Sequence, residues 1–221
     1  MSGIDLPERI PIFPLPGALL LPGGRLPLHI FEDRYRAMAR DALASDRLIG
    51  MIQPRDPDTA EEAQAPIYET GCVGRIEDER SADDGRYYFT LVGLCRFRVT
   101  EELPVHDGYR RVRADYAPFV DDLAPDGARV PAQSGMDRDA LIATLRRYLD
   151  TRGLAADWDV VAETSDADLV AVLAQTCPFE ANEKQALLEA ESLAERCAVM
   201  TAVMEMTLAG GTGDMPMSVR H

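Results

Sequence analysis

Five prolines interrupt two apolar segments between Ile10 and Tyr35, ahead of the first amphipathic helix. Pro11, Pro14 and Pro16 fall within six residues, and Pro22 and Pro27 follow. Proline has no amide hydrogen to give to a sheet ladder, so strands that carry it must be edges, bulged or bent. The run excludes a broad flat sheet. It predicts a small, strongly curved one around which the rest of the chain closes.

Residues 10–15 predict a first strand, Pro16-Gly17 a turn, 18–21 a resumed strand, and Pro22-Gly23-Gly24 a second break. Leu26–Ile30 leads into a helix over 31–44, where Phe31, Tyr35, Met38, Ala39, Ala42 and Leu43 share one face. Residues 48–53 read as a short apolar strand and 55–65 as a polar, acidic loop. Segments 67–79 and 86–101 predict a long hairpin across an Asp84-Gly85 turn. Gly71, Gly74 and Gly93 within it predict bends or bulges at barrel corners. After the turn His106-Asp107-Gly108, residues 109–118 alternate as a strand with one wet face.

Beyond a turn-rich stretch, the periodicity becomes helical. Leu141, Leu145, Tyr148 and Leu149 mark a helix over 137–152, with Ser134-x-x-Asp137 as its cap region. Leu169, Val172 and Leu173 mark another over 166–176, and 181–191 a third. Ser192-x-x-Glu195 opens a fourth, striped by Leu193, Cys197, Met200, Met204 and Leu208. Trp158 is expected to be a buried anchor between helices. The predicted class is α+β: a mixed, curved β half over 8–120 with one helix, a linker over 121–136, a bundle of about four helices over 137–209, and a flexible tail over 210–221.

Charge and residue usage narrow the function. Residues 1–120 carry 15 basic and 20 acidic side chains, a balance of −5, and residues 121–221 carry 8 and 18, a balance of −10. Polyanions and anionic membrane surfaces are disfavoured. Lys184 is the single lysine and lies in Glu183-Lys184-Gln185, so no phosphate-binding P-loop exists. No apolar run is long enough to span a bilayer, and Met1-Ser2-Gly3-Ile4-Asp5 does not open a secretory signal, so the expected location is cytoplasmic. Cys72, Cys95, Cys177 and Cys197 form no C-x-x-C pair and read as buried, reduced thiols. The three histidines are too dispersed for a metal motif, and no cofactor is expected.

The segments Ile12-Phe13-Pro14-Leu15, Leu21-Pro22-Gly23 and Leu26-Pro27-Leu28-His29-Ile30-Phe31-Glu32-Asp33-Arg34-Tyr35 closely resemble the amino-terminal, substrate-binding domain of Lon proteases. Later segments agree in order: Gly71-Cys72-Val73-Gly74-Arg75-Ile76, then Gly93-Leu94-Cys95-Arg96-Phe97-Arg98-Val99, then the run from Glu183 to Ala190 with Arg196 after it. The resemblance implies a PUA-like β pseudobarrel followed by helices, and an association with substrate recognition and assembly. It implies mainly structural roles for Pro14, Leu15, Pro22, Leu26, Pro27, Leu28, Phe31, Tyr35, Gly71, Gly93, Phe97, Lys184, Gln185, Leu188 and Glu189. In full-length Lon this region precedes an ATPase and a Ser-Lys protease. With no Walker motif in view, the expectation is a stand-alone Lon-domain protein without catalytic residues.

Within that frame several groups have competing readings. Glu32, Arg34, Arg36, Arg96 and Arg98 either orient the first helix through ion pairs or form a rim that binds a peptide or partner. Arg110, Arg111 and Arg113 are the one basic cluster, and an RNA-binding reading stands or falls there. His29 reads as a hydrogen-bonded structural residue, or, with Glu32 and Arg34, as the centre of an uncharacterised enzyme. Met200, Met204 and Met206 read as core or as an adaptable groove, and the acidic segment 56–62 as a solvated loop or one that folds on a partner. The leading expectation is a non-enzymatic module for unfolded or extended polypeptide or a partner protein, linked to proteolysis or quality control.

Overall fold

The computed structural model describes residues 6–56, 58, 64–123 and 135–210. Six strands carry the first half: β1 (Arg9–Pro14), β2 (Arg25–Ile30), β3 (Leu48–Ile52), β4 (Thr70–Ser81), β5 (Tyr87–His106) and β6 (Tyr109–Asp115). Helix α1 (Asp33–Leu43) lies between β2 and β3. β1 runs parallel to β3 and antiparallel to β6, while β5 pairs with both β4 and β6. The circuit β5-β4-β3-β1-β6-β5 therefore closes, and β2 hangs from the first half of β5. This is the mixed pseudobarrel expected.

Gly74 and Gly93 mark a bulge in the long hairpin, as expected, whereas the ladder runs through Gly71 without a shift. The β4–β5 register shifts between Val73 and Gly74, which lies opposite Gly93. Gly93 also exchanges hydrogen bonds with the Pro-Gly-Gly break, accepting from Gly23 at 2.8 Å and donating to Gly24 at 2.9 Å. A side chain at Gly93 would collide with the Leu21 carbonyl. Residues 18–21 are consequently no strand, contrary to expectation. They cross the sheet with Leu19, Leu20 and Leu21 all buried, and continuous burial replaces strand alternation.

Helix α1 begins later than its apolar pattern suggests. Tyr35, Met38, Ala39 and Ala42 are buried, and the Tyr35 ring packs 4.3 Å from that of Phe13. Phe31 precedes the N-cap Glu32, so it is off the helical face and 58% exposed. The motif therefore docks α1 through Tyr35 and not through Phe31.

A 3-10 segment at Ala117–Leu123, kinked at Phe119, follows β6. Then come α2 (Arg138–Arg152), α3 (Trp158–Glu163), α4 (Asp166–Thr176), α5 (Ala181–Glu189) and α6 (Leu193–Gly210). Five helices stand where about four were expected, because Asp157 caps an additional short α3 by accepting from Asp159 and Val160. Trp158 is half-buried on α3, its ring 3.7 Å from the Arg146 guanidinium, and is not the buried anchor expected. Asp137 itself caps α2 by accepting from the Ala140 amide, while the cap position Ser134 lies outside the described residues. So do 124–134 of the expected linker, 211–221 of the expected tail, and most of the acidic segment 56–62.

One buried cluster joins Leu19–Leu21 and the inner face of α1 to Leu141, Tyr148, Leu173, Leu187, Met200 and Met204 of the helices. The two central methionines are thus core, and only Met206 is exposed. A second cluster around Ile10, Ile12, Val73, Cys95, Phe97 and Val112 fills the barrel. Among the described residues no helix is long and apolar enough to cross a membrane.

Candidate functional site

Helix α5 fastens the helical half to the barrel through polar side chains that are themselves buried. Lys184 Nζ donates to the Gly17 carbonyl at 2.7 Å, and Gln185 Nε2 donates to the Thr70 carbonyl at 3.1 Å and to Glu189 at 2.7 Å. Gln53, at the end of β3, answers from the barrel by donating to the Ala181 carbonyl and accepting from the Gly17 amide. Burial lowers the pKa of the Lys184 ammonium. Lys184 is therefore a docking residue that bonds a carbonyl, and Leu188 packs beside it in the core.

Two arginines close the carboxyl end of α5. Arg96, from β5, donates to the Leu188 carbonyl at 3.3 Å and to the Ala190 carbonyl at 2.7 Å. The same guanidinium grips both carboxylate oxygens of Asp122 at 2.9 and 3.0 Å, with 8% and 11% of the two side chains exposed. Arg196 of α6 donates to the carbonyls of Leu187 and Ala190, and burial together with the neighbouring Arg96 charge pushes its pKa down to about 10. Positive groups at a helix carboxyl end also suit its dipole. Arg96 was expected with Arg98 either in ion pairs that orient the first helix or on a binding rim. Asp122 and α5, neither of which the strand pattern reveals, bury it instead.

A groove of about 810 Å³ opens over this junction and falls within the range of ligand clefts, roughly 300–1,000 Å³. Arg98 lines it from β5, Tyr68 and Arg55 from the segment before β4, and Phe119 from the 3-10 segment. Phe119 lies over the Arg96 guanidinium at 4.8 Å and Tyr68 beneath that of Arg55 at 5.4 Å. Arg55 also donates to the Ile67 carbonyl. Arg98 is exposed and makes no hydrogen bond or ion pair among the described residues. The groove thus offers two aromatic surfaces and an uncommitted guanidinium. Arg55 and Asp122 were missed in sequence because they sit in segments read as loop and linker, Tyr68 because it opens a predicted hairpin strand, and Phe119 because it falls between the last strand and the linker.

The other residues expected at a common rim lie elsewhere. Arg34 pairs with Glu32 at 3.0 Å, and Arg36 pairs with Asp33 at 3.0 Å and donates to the Gly85 carbonyl. Arg36 lines a separate cavity of about 310 Å³ with Arg40 and Tyr87. Glu32, Arg34 and Arg36 thus orient α1 and its neighbouring turn, whereas Arg98 belongs to the groove.

The basic cluster is consumed internally. Arg110 is buried, bound to Glu102 at 2.7 Å and to the Ala65 carbonyl at 2.7 Å. Arg111 donates to the Pro104 carbonyl, and Arg113 bridges Glu8 and Glu101. His29 is exposed and not buried. It stacks on Tyr88 at 4.4 Å, and neither described cavity includes it. Asp41, His106 and Asp107 bring donor atoms within 4.8 Å of one another. Arg40, however, already bonds both carboxylates and supplies the cation there. All four cysteines are buried thiols.

The profile of the ATP-dependent protease La (Lon) substrate-binding domain matches residues 9–205. Lon protease 2 of Myxococcus xanthus is 29% identical over 202 residues, covering 91% of this chain and 24% of that protein. The Lon protease of Anaeromyxobacter dehalogenans is 27% identical over 205 residues, covering 91% and 23%. The chain thus spans about a quarter of the length of these curated relatives. Among solved structures, the crystal structure of a Lon N-terminal domain protein from Xanthomonas campestris superposes with a TM-score of 0.57 at 22% identity, covering 91% of this chain and 97% of the other. The N-terminal domain of the Mycobacterium avium complex Lon protease gives 0.59 at 16% identity, covering 89% and 98%. The α+β architecture is that of these domains.

Proposed function

The chain belongs to the Lon substrate-binding domain family, and from that premise we propose that it is a non-catalytic module that binds unfolded or extended polypeptide. The observation that carries this reading is the groove at the seam of barrel and helices, where Tyr68 and Phe119 offer apolar surface beside the uncommitted Arg98. An extended chain would bury apolar side chains on the two rings and give a backbone carbonyl to Arg98. A role in proteolysis or protein quality control, by presenting such chains to a protease, is part of the same proposal.

The test is titration of a fluorescent, permanently unfolded model protein. Saturable binding is expected, weakened about tenfold by Arg98→Ala combined with Tyr68→Ala. Absence of binding up to about 50 μM, both to that chain and to a Lon-type ATPase partner, would remove the reading.

A further inference from the structure

The charges around the groove are unequal. Arg96 joins Asp122 to the Leu188 and Ala190 carbonyls, and this clamp brings the flanking residues Asp121, Glu189 and Glu191 to one wall. All three carboxylates are exposed. Glu189 accepts from the neutral Gln185 amide, and among the described residues none of the three is paired with an arginine or lysine. Of the groove's own cations, Arg96 is committed to Asp122, and Arg55 to the Ile67 carbonyl and Glu69. The uncommitted groups are therefore three carboxylates on one wall and Arg98 alone, with Phe119 among them.

We infer that the groove selects extended segments carrying a lysine or arginine beside an apolar residue. The cationic head lies on the wall of Asp121, Glu189 and Glu191, and the apolar side chain lies on Phe119. This rests on the groove being the polypeptide site proposed above. A carboxylate in the same place would meet the like charges of that wall, so acidic segments are rejected by repulsion as much as cationic ones are attracted.

The experiment compares three labelled peptides of identical apolar content, bearing two lysines, two glutamines or two glutamates, by fluorescence anisotropy with the full chain. The lysine peptide should bind about tenfold more tightly than the glutamine peptide, with the glutamate peptide weakest and the spread narrowing with added salt. The D121N/E189Q/E191Q variant should bring the lysine peptide to the glutamine level. A control variant D139N/E163Q/E205Q makes the same charge change at exposed sites away from the groove and should keep the preference. Equal affinity for all three peptides, or a preference that survives D121N/E189Q/E191Q, overturns the inference and leaves the polypeptide reading intact. No binding of any peptide overturns both.

Discussion

Replacing the Arg96 guanidinium by an apolar chain, as in Arg96→Met, removes the side-chain donors from Asp122 and from the Leu188 and Ala190 carbonyls in a nearly dry place. Breaking a buried ion pair from one side costs about 3–5 kcal/mol. Arg98→Ala, two residues along the same strand, should cost less than about 0.5 kcal/mol. Urea denaturation of the two variants measures this contrast. Nothing local distinguishes these arginines, because period-two alternation puts both on one face of β5. The difference is made by Asp122 and by Leu188 and Ala190, far along the chain. The cysteines were more legible, since apolar neighbours on strands and helices already mark them as buried. Burial raises the thiols of Cys72 and Cys197, and that of Cys177 to about 11. A pKa raised by folding favours the protonated thiol, so its stabilisation is full below the unfolded value near 9 and is lost as pH rises through the folded one. The urea midpoint should therefore fall between pH 8 and pH 10, with Cys177 alone accounting for about 1 kcal/mol. Cys177→Ala should flatten that slope, and a midpoint independent of pH over this range would contradict the burial argument.

Among the elements, α5 shows most clearly how a short motif encodes docking. Lys184 and Gln185 look in sequence like exposed polar residues of an ordinary helix, yet each reaches a barrel carbonyl. Gln185→Leu should destabilise by about 1–3 kcal/mol, because the Thr70 carbonyl loses its Gln185 donor. Glu183→Ala, which removes half of the capping box with Glu180, should cost about 1 kcal/mol. Thermal melts order the two. β2 illustrates the opposite device. It is an open edge paired only with β5, and Pro27 sits in its middle. Proline there blunts the edge against another strand. Pro27→Val should produce concentration-dependent self-association in analytical ultracentrifugation, while an unchanged monomer–oligomer balance would show that β2 needs no such guard. Pro27 thus announced an edge, whereas Pro11 and Pro14 lie in β1, which pairs with both β3 and β6. The path of 18–21 was illegible because a strand and a fully buried coil both appear as an uninterrupted apolar run.

At the scale of the molecule, the sequence suggests two units separated by a linker, but the described residues share one core across barrel and helices. Asp122, counted as linker, is bound to the barrel strand β5. Unfolding should therefore be a single transition. Trp158, the one tryptophan, reports from the helical half, and near-ultraviolet tyrosine signals include the barrel's. Their urea midpoints should coincide, and a separation of the curves would mean that the halves unfold independently.

The bond from Lys184 to the Gly17 carbonyl joins residues 167 positions apart. At synthesis rates of about 5–20 residues per second, the first proline-studded turn waits on the order of ten to thirty seconds for its lysine to be made. Until then the cluster that buries Leu19, Leu20 and Leu21 lacks its members from α5 and α6. In time as well as in space, the start of this chain is finished last, and for that interval a newborn copy carries a barrel whose first turn is not yet fastened.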